Sequence, residues 1–137
     1  MKKLVCLAVL FAFLTVSGAY AEFPDLVGTW KGKADAILPD GTVLMGLSIT
    51  ADITSQTDGL FTGTFTMRIP GLGITVLSGT GYVSEDNMLK GIWSFQGVGI
   101  GFIEATVTIT ATRMVMEGVA RDISDGSTTY IKVKKKV

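Results

Sequence analysis

Apolar and polar residues alternate along most of residues 22–137 with the period of two that one face of a β-strand requires. A short unit sets the cadence: an apolar residue, a glycine two places on, and another apolar residue two places after that. It occurs at Leu26-Gly28-Trp30, Phe61-Gly63-Phe65, Leu89-Gly91-Trp93 and Met116-Gly118-Ala120. Each copy lies roughly one hairpin further along the chain. The 3.6-residue period of an amphipathic helix does not occur in this region.

The alternation predicts eight strands. Leu26–Leu38 places Leu26, Gly28, Trp30, Gly32, Ala34 and Ala36 on one face, opposite Val27, Thr29, Lys31, Lys33 and Asp35. Thr42–Thr54 does the same with Val43, Met45, Leu47, Ile49, Ala51 and Ile53. Leu60–Ile69 turns Phe61, Gly63, Phe65 and Met67 inward, and Met88–Gln96 turns Leu89, Gly91, Trp93 and Phe95 inward. Between them, Ile74–Ser84 mixes apolar and small residues on both faces. Phe102–Thr112, Met114–Ile123 and Ser127–Lys135 complete the set. Reversals fall where turn chemistry is dense, at Pro39-Asp40-Gly41, Thr57-Asp58-Gly59, Pro70-Gly71-Leu72-Gly73, Glu85-Asp86-Asn87 and Ser124-Asp125-Gly126. Gly97-Val98-Gly99-Ile100-Gly101 reads as a glycine-rich connection, and a short turn is expected near Thr112-Arg113.

Eight strands in simple succession predict an all-β domain, a single antiparallel up-and-down eight-stranded barrel, because closure removes both sheet edges. Inward glycines beside large aromatics suit the tapering interior of such a barrel. A β-sandwich is the alternative arrangement. An outer-membrane barrel would reverse the pattern, with apolar residues facing lipid and polar ones facing the lumen. Here the threonine-rich faces would have to meet hydrocarbon.

In a meander, alternate turns share one end. One end collects Ser55-Gln56-Thr57-Asp58, Glu85-Asp86-Asn87 and Thr112-Arg113, all polar. The other collects Ile37-Leu38-Pro39, Ile69–Ile74, Gln96–Ile100 and Ile123, which are apolar and glycine-rich. The thinning of the first strand to Gly32, Ala34 and Ala36 toward that end suits an open mouth. Trp30 would plug the opposite end. The expected ligand pocket is lined by Met45, Phe65, Met67, Trp93 and Phe95, with Leu72, Val98 and Ile100 as its rim. Its inner face carries no charge, so an apolar small molecule, a lipid or an acyl chain is the expected partner. A filled core with ordinary hairpin loops fits the same pattern. So does an interaction module that docks a protein through these loops, and a homo-oligomer is compatible with it.

Residues 1–21 add an address. Lys2 and Lys3 precede an apolar run, Leu4–Val16, and Ala19-Tyr20-Ala21 matches an A-x-A cleavage site. The segment reads as a secretory signal peptide cleaved after Ala21, leaving residues 22–137 as one domain in the periplasm or secreted. The rival reading is a membrane anchor, but the run is shorter than the roughly 18 residues a spanning helix needs. No transmembrane span is then expected after cleavage. The one cysteine, Cys6, lies inside the apolar run, so the expected mature chain has no disulfide.

Charge and side-chain chemistry narrow the functions further. Without Lys2 and Lys3 the chain carries 10 basic and 12 acidic residues, a net charge of −2. That gives no general attraction to nucleic acid. Lys132, Lys134, Lys135 and Lys136 form a local basic tail, readable as an anion-binding patch or as a solvated strand end. Histidine is absent. Cys/His zinc sites, a cysteine nucleophile in the mature chain and a Ser-His-Asp triad are excluded. Asp122, Asp125 and Gly126 lack the ligand run of an EF-hand loop. Neither alternation nor turn position brings two carboxylates into one cleft, so no catalytic residue, metal site or cofactor is expected, and the chain reads as non-catalytic.

Gly28-Thr29-Trp30 at the head of an eight-strand meander resembles the G-x-W of calycins, the superfamily of lipocalins and avidins. Gly59–Thr66 is similar to the third strand of avidin and streptavidin. The resemblance implies an eight-stranded barrel that holds a ligand inside. In avidins the positions corresponding to Gly32 and Phe65 carry polar biotin ligands. A glycine and a phenylalanine offer no such side-chain hydrogen bond, so biotin binding does not carry over. The lipocalin T-D-Y signature is also missing.

Overall fold

The computed structural model of the chain describes residues 22–137, apart from Leu72, Gly97 and the side chains of Val98 and Gly99. The expected signal segment, the rim residue Leu72 and the Val98 side chain lie outside the described residues. Eight strands follow one another: β1 (Gly28–Ile37), β2 (Val43–Thr57), β3 (Leu60–Ile69), β4 (Gly73–Val83), β5 (Met88–Phe95), β6 (Val98–Ile109), β7 (Arg113–Asp122) and β8 (Thr128–Lys136). Each pairs antiparallel with its neighbour in sequence, and β8 pairs back to β1 with Ala34 opposite Ile131. The sheet is therefore a closed up-and-down barrel rather than a sandwich.

Two strand limits depart from the alternation. β6 begins at Val98, so most of the expected glycine-rich connection is strand, paired to β5 through Ser94 opposite Gly99 and Phe95 opposite Val98. β2 continues to Thr57. Both differences come with a β-bulge, an extra residue that lets pairing resume out of phase. Ile100 is the extra residue in β6, between the Trp93–Gly101 and Ser94–Gly99 pairs. Thr54 is extra in β2, between Ile53 opposite Gly63 and Ser55 opposite Thr62.

A third bulge corrects the inward face of β2. Ala34 pairs with Leu47 but Ala36 pairs with Leu44, so β2 spends one more residue than β1 over this step. Gly46 takes a φ of 66°, a left-handed conformation that glycine adopts without a Cβ penalty. Its N–H donates to the Asp35 carboxylate at 2.8 Å. Beyond it the alternation is inverted. Leu44 packs against the core, whereas Val43 and Met45 face out, Met45 with 75% of its surface exposed.

Strand β4 carries an ambiguous pattern because two of its five inner positions are glycine. Thr75, Leu77, Gly79, Gly81 and Val83 alternate with the more exposed Ile74, Val76, Ser78, Thr80 and Tyr82. A Cβ at Gly79 would lie 2.7 Å from the Phe65 ring, and one at Gly81 would lie 2.7 Å from the Phe61 ring. The aromatics of β3 thus lie over the glycines of β4, covering backbone that no side chain of β4 covers.

Candidate functional site

The two ends of the barrel are built differently. At the polar end, Leu26, Trp30, Ile53, Phe61, Val83, Leu89, Val107, Met116 and Val133 form a fully buried plug. Trp30 is entirely enclosed, and its indole N–H donates to the Leu26 carbonyl at 2.8 Å. The Thr54 bulge turns Gln56 onto the same face as its partner Phe61. There the Gln56 amide accepts from the Leu26 N–H at 2.8 Å and donates to the carbonyls of Pro24 at 2.9 Å and Asp58 at 2.7 Å. One side chain thereby holds the segment before β1 across this end.

Lys135 completes the closure. Alternation along β8 gives it the parity of the buried Ile131 and Val133, unlike the outward Lys132, Lys134 and Lys136. Its ammonium donates to the carbonyls of Asp25 at 2.7 Å and Val27 at 2.8 Å, and lies 5.4 Å from the centre of the Trp30 ring. This lysine is a structural clamp, with the charge held by carbonyls and by the ring face. Of the basic tail, only the other three remain on the outer wall. There Lys134 sits directly opposite Lys31, and Lys132 pairs with Glu117 at 3.3 Å.

Toward the glycine-rich end the core loosens. Phe65, Met67, Leu77, Trp93, Ala120 and Thr129 share the inner face but are only partly buried. With Ile49, Ile103 and Ile131 they enclose a cavity of about 70 Å³. Apart from Thr129 and Trp93 these lining residues are aliphatic, phenylalanine or methionine. Trp93 faces Gly101 across the β5–β6 pair, where a Cβ would lie 2.4 and 2.5 Å from the indole ring and 2.3 Å from the Arg121 carbonyl oxygen. The missing Cβ is what lets the indole lie flat on β6. Its Nε1–H is enclosed, and among the described residues it has no hydrogen-bond partner.

Of the residues expected to form the pocket, Phe65, Met67 and Trp93 meet at this cavity. Met45 does not, because the Gly46 bulge turned it outward. Phe95 stands at the end of β5, 44% exposed, and Ile100 is the bulged residue of β6; neither lines the cavity. The small residues of β1 do not form the mouth either. Ala34 and Ala36 are packed into the core, and the cavity is lined from β2 through β8. Ile49, Leu77, Ile103, Ala120, Thr129 and Ile131 also line the cavity and were not among the residues expected there. The parity of β8 could have placed Thr129 inward beside Ile131, but a threonine next to a turn carries little signal of its own.

The acidic residues near the turns have backbone duties. Asp122 accepts from the Ser124 N–H and Asp125 from the Ser127 N–H, both at 2.7 Å, as turn formers do. Asp40 accepts from the Thr42 N–H at 2.9 Å, and that bond and the Thr42 hydroxyl hold its carboxyl below the ordinary 3.8. No group of three or more histidine, cysteine, aspartate or glutamate side chains gathers as a metal site among the described residues. Comparison with protein-family profiles, with curated proteins and with solved structures returned no match.

Proposed function

We propose that this chain is an exported, non-catalytic barrel of calycin type that takes the end of an apolar small molecule or acyl chain into its cavity. The observation that carries this reading is the contrast between the two ends. One is sealed by Trp30, Gln56 and Lys135, while inner-face residues at the other stay partly exposed around an apolar cavity. A barrel that needed only a filled core would gain by packing both ends alike. The size of the space sets the occupant. About 70 Å³ is well below the roughly 300 Å³ that encloses a whole drug-sized ligand. A chain terminus fits, with the remainder lying across the mouth. The calycin assignment rests on Gly28-Thr29-Trp30 and the eight-strand meander, and export on residues 1–21.

Native mass spectrometry of the protein purified from its export compartment tests the reading. The expected result is extra mass that organic extraction removes. A bare protein that also gives no heat and no change in tryptophan emission with medium-chain alcohols, ketones or fatty acids would refute it.

A second reading, docking of a protein partner or a sister subunit, is favoured by one separate observation. Met45, Ile74 and Ile123, 75%, 59% and 70% exposed, lie near the turns β1–β2, β3–β4 and β7–β8, which share the open end. A stable oligomer by sedimentation that Ile123→Asp dissociates would support it, and a monomer before and after the change would exclude self-association there.

A further inference from the structure

On the outer wall of the barrel, Lys90 sits opposite Glu104 and Lys132 opposite Glu117, and both pairs meet, at 3.9 and 3.3 Å. The wall formed by β7, β8 and β1 also sets cation against cation: Lys33 opposite Lys132, Lys31 opposite Lys134 and Arg113 opposite Lys136. Like charges directly across a ladder destabilise it. The first of these pairs has an outlet, since Lys33 donates to the Ser48 hydroxyl at 3.2 Å and Lys132 reaches Glu117. Lys31, Lys134, Arg113 and Lys136 form no salt bridge among the described residues. Residues 22–137 carry 12 acidic against 10 basic side chains, so this concentration of cations is local rather than compositional.

The four cations border a break in the barrel wall. Pairing of β1 with β8 ends at Lys31 opposite Lys134. From there toward the sealed end β1 pairs only with β2, as far as Gly28, and β8 only with β7, as far as Lys136. The strands part around a solvent-open cleft of about 720 Å³, with Gly28, Thr29 and Lys31 on one side and Arg113, Lys134 and Lys136 on the other. Lys135 also borders it, but its ammonium is held by the carbonyls of Asp25 and Val27. Two carboxylates are tied to the β1 side: Asp25 accepts from the Val27 N–H at 3.0 Å and Asp52 from the Thr29 hydroxyl at 2.6 Å. Neither forms a salt bridge with one of the four cations. We propose that this cleft binds an oxyanion carrying two or more negative charges, a phosphate monoester or diphosphate group, held by Lys31, Arg113, Lys134 and Lys136. An anion between them turns two repulsive pairs into attractive contacts. A single carboxylate would offset only one charge, and Arg113 offers the planar fork that matches a phosphoryl group. The site is distinct from the apolar cavity, which lies toward the opposite end of the barrel.

The test titrates inorganic pyrophosphate into the protein by calorimetry and by amide resonances, with sodium chloride holding the ionic strength constant. Wild type is compared with Lys134→Gln, Arg113→Gln and, on another part of the wall, Lys90→Gln. The two cleft variants remove like-charge contacts, so the fold tolerates them, and urea unfolding checks that it does. The expected result is saturable binding that shifts the Gly28 and Thr29 amides, weakened about tenfold by each cleft variant and unchanged in Lys90→Gln, the effect of losing one charge-assisted hydrogen bond. Cosedimentation with phosphatidylcholine vesicles containing phosphatidic acid separates the two sources of such a group. Vesicle binding that both cleft variants weaken assigns the site to a lipid headgroup, whereas pyrophosphate binding without vesicle binding assigns it to a soluble phosphate compound. Absence of saturable binding to either probe overturns the proposal, as does binding that Lys134→Gln and Arg113→Gln leave unchanged. Neither result bears on the apolar cavity.

Discussion

The Gly118→Ala and Gly91→Ala variants make the same change at equivalent places in the repeated unit, and the barrel assigns them different costs. At Gly118 a Cβ would lie 2.2 Å from the Glu104 carbonyl oxygen and 2.5 Å from both Cα and Cβ of Ala105. All three are backbone or a first side-chain carbon, so none can swing aside. Relieving contacts this short means separating β6 from β7, which are paired at Ala105 opposite Gly118. At Gly91 the nearest atoms are the Thr80 carbonyl oxygen at 3.0 Å and the Ile103 Cγ2 at 3.3 Å, and movement of a few tenths of an ångström suffices. Overpacking of the first kind costs about 3 kcal/mol. In both variants, replacing glycine offsets about 0.5 kcal/mol by restricting the unfolded chain. Gly118→Ala should therefore lose about 2.5 kcal/mol and Gly91→Ala less than about 1 kcal/mol. Near this size each kcal/mol moves the midpoint by about 4 °C, so the two should differ by at least about 6 °C in thermal unfolding. Urea titration followed by tryptophan emission gives the free energies directly. Equal losses in the two variants would refute the argument that close approach of neighbouring strands is what selects glycine in the unit.

Three further outcomes follow from the same geometry. Gln56→Ala leaves the Leu26 N–H without its acceptor and frees the segment at Pro24, and should cost about 2 kcal/mol in urea unfolding, with faster amide exchange at Leu26. Lys134→Glu places an opposite charge directly across from Lys31 and should raise stability by about 0.5 kcal/mol at low salt, a gain that shrinks in a salt titration. Asp40 has a folded pKa below 3.8, so its bonds to Thr42 contribute fully above that value and are lost as pH falls through the folded one. Asp40→Asn should accordingly flatten the acid limb of stability measured below pH 4.

Part of the cavity lining was legible where a side chain announced its face by alternation within an undisturbed strand. Phe65, Met67 and Trp93 are such residues, and the structure brings all three to the cavity. Met45 was misplaced because one glycine, Gly46, adopts a positive φ and hands its N–H to Asp35, inverting every side chain between it and the turn. Gly46 falls outside the repeated unit, with Leu44 and Ser48 two places either side, but no local residue shows that it takes a positive φ. Lys135 was grouped with its neighbours because all four tail residues are lysines. Its role depends on carbonyls of Asp25 and Val27, more than a hundred positions away in sequence.

Alternation by itself determined that the chain makes eight strands, that one face of each is apolar, and that short turns join them into a meander. These are local properties, set by a period of two and by turn residues that act within four positions. Tertiary structure decided where the alternation breaks, which end is sealed and where space remains. Closure forces neighbouring strands into registers that individual residues do not encode, and the bulges in β2 and β6 absorb the mismatch. One of them turns Gln56 inward to seal the polar end, and another turns Met45 away from the interior. The cavity beside Trp93 exists because inner-face residues from seven strands fall short of filling the open end, a sum over the whole barrel that no single strand carries.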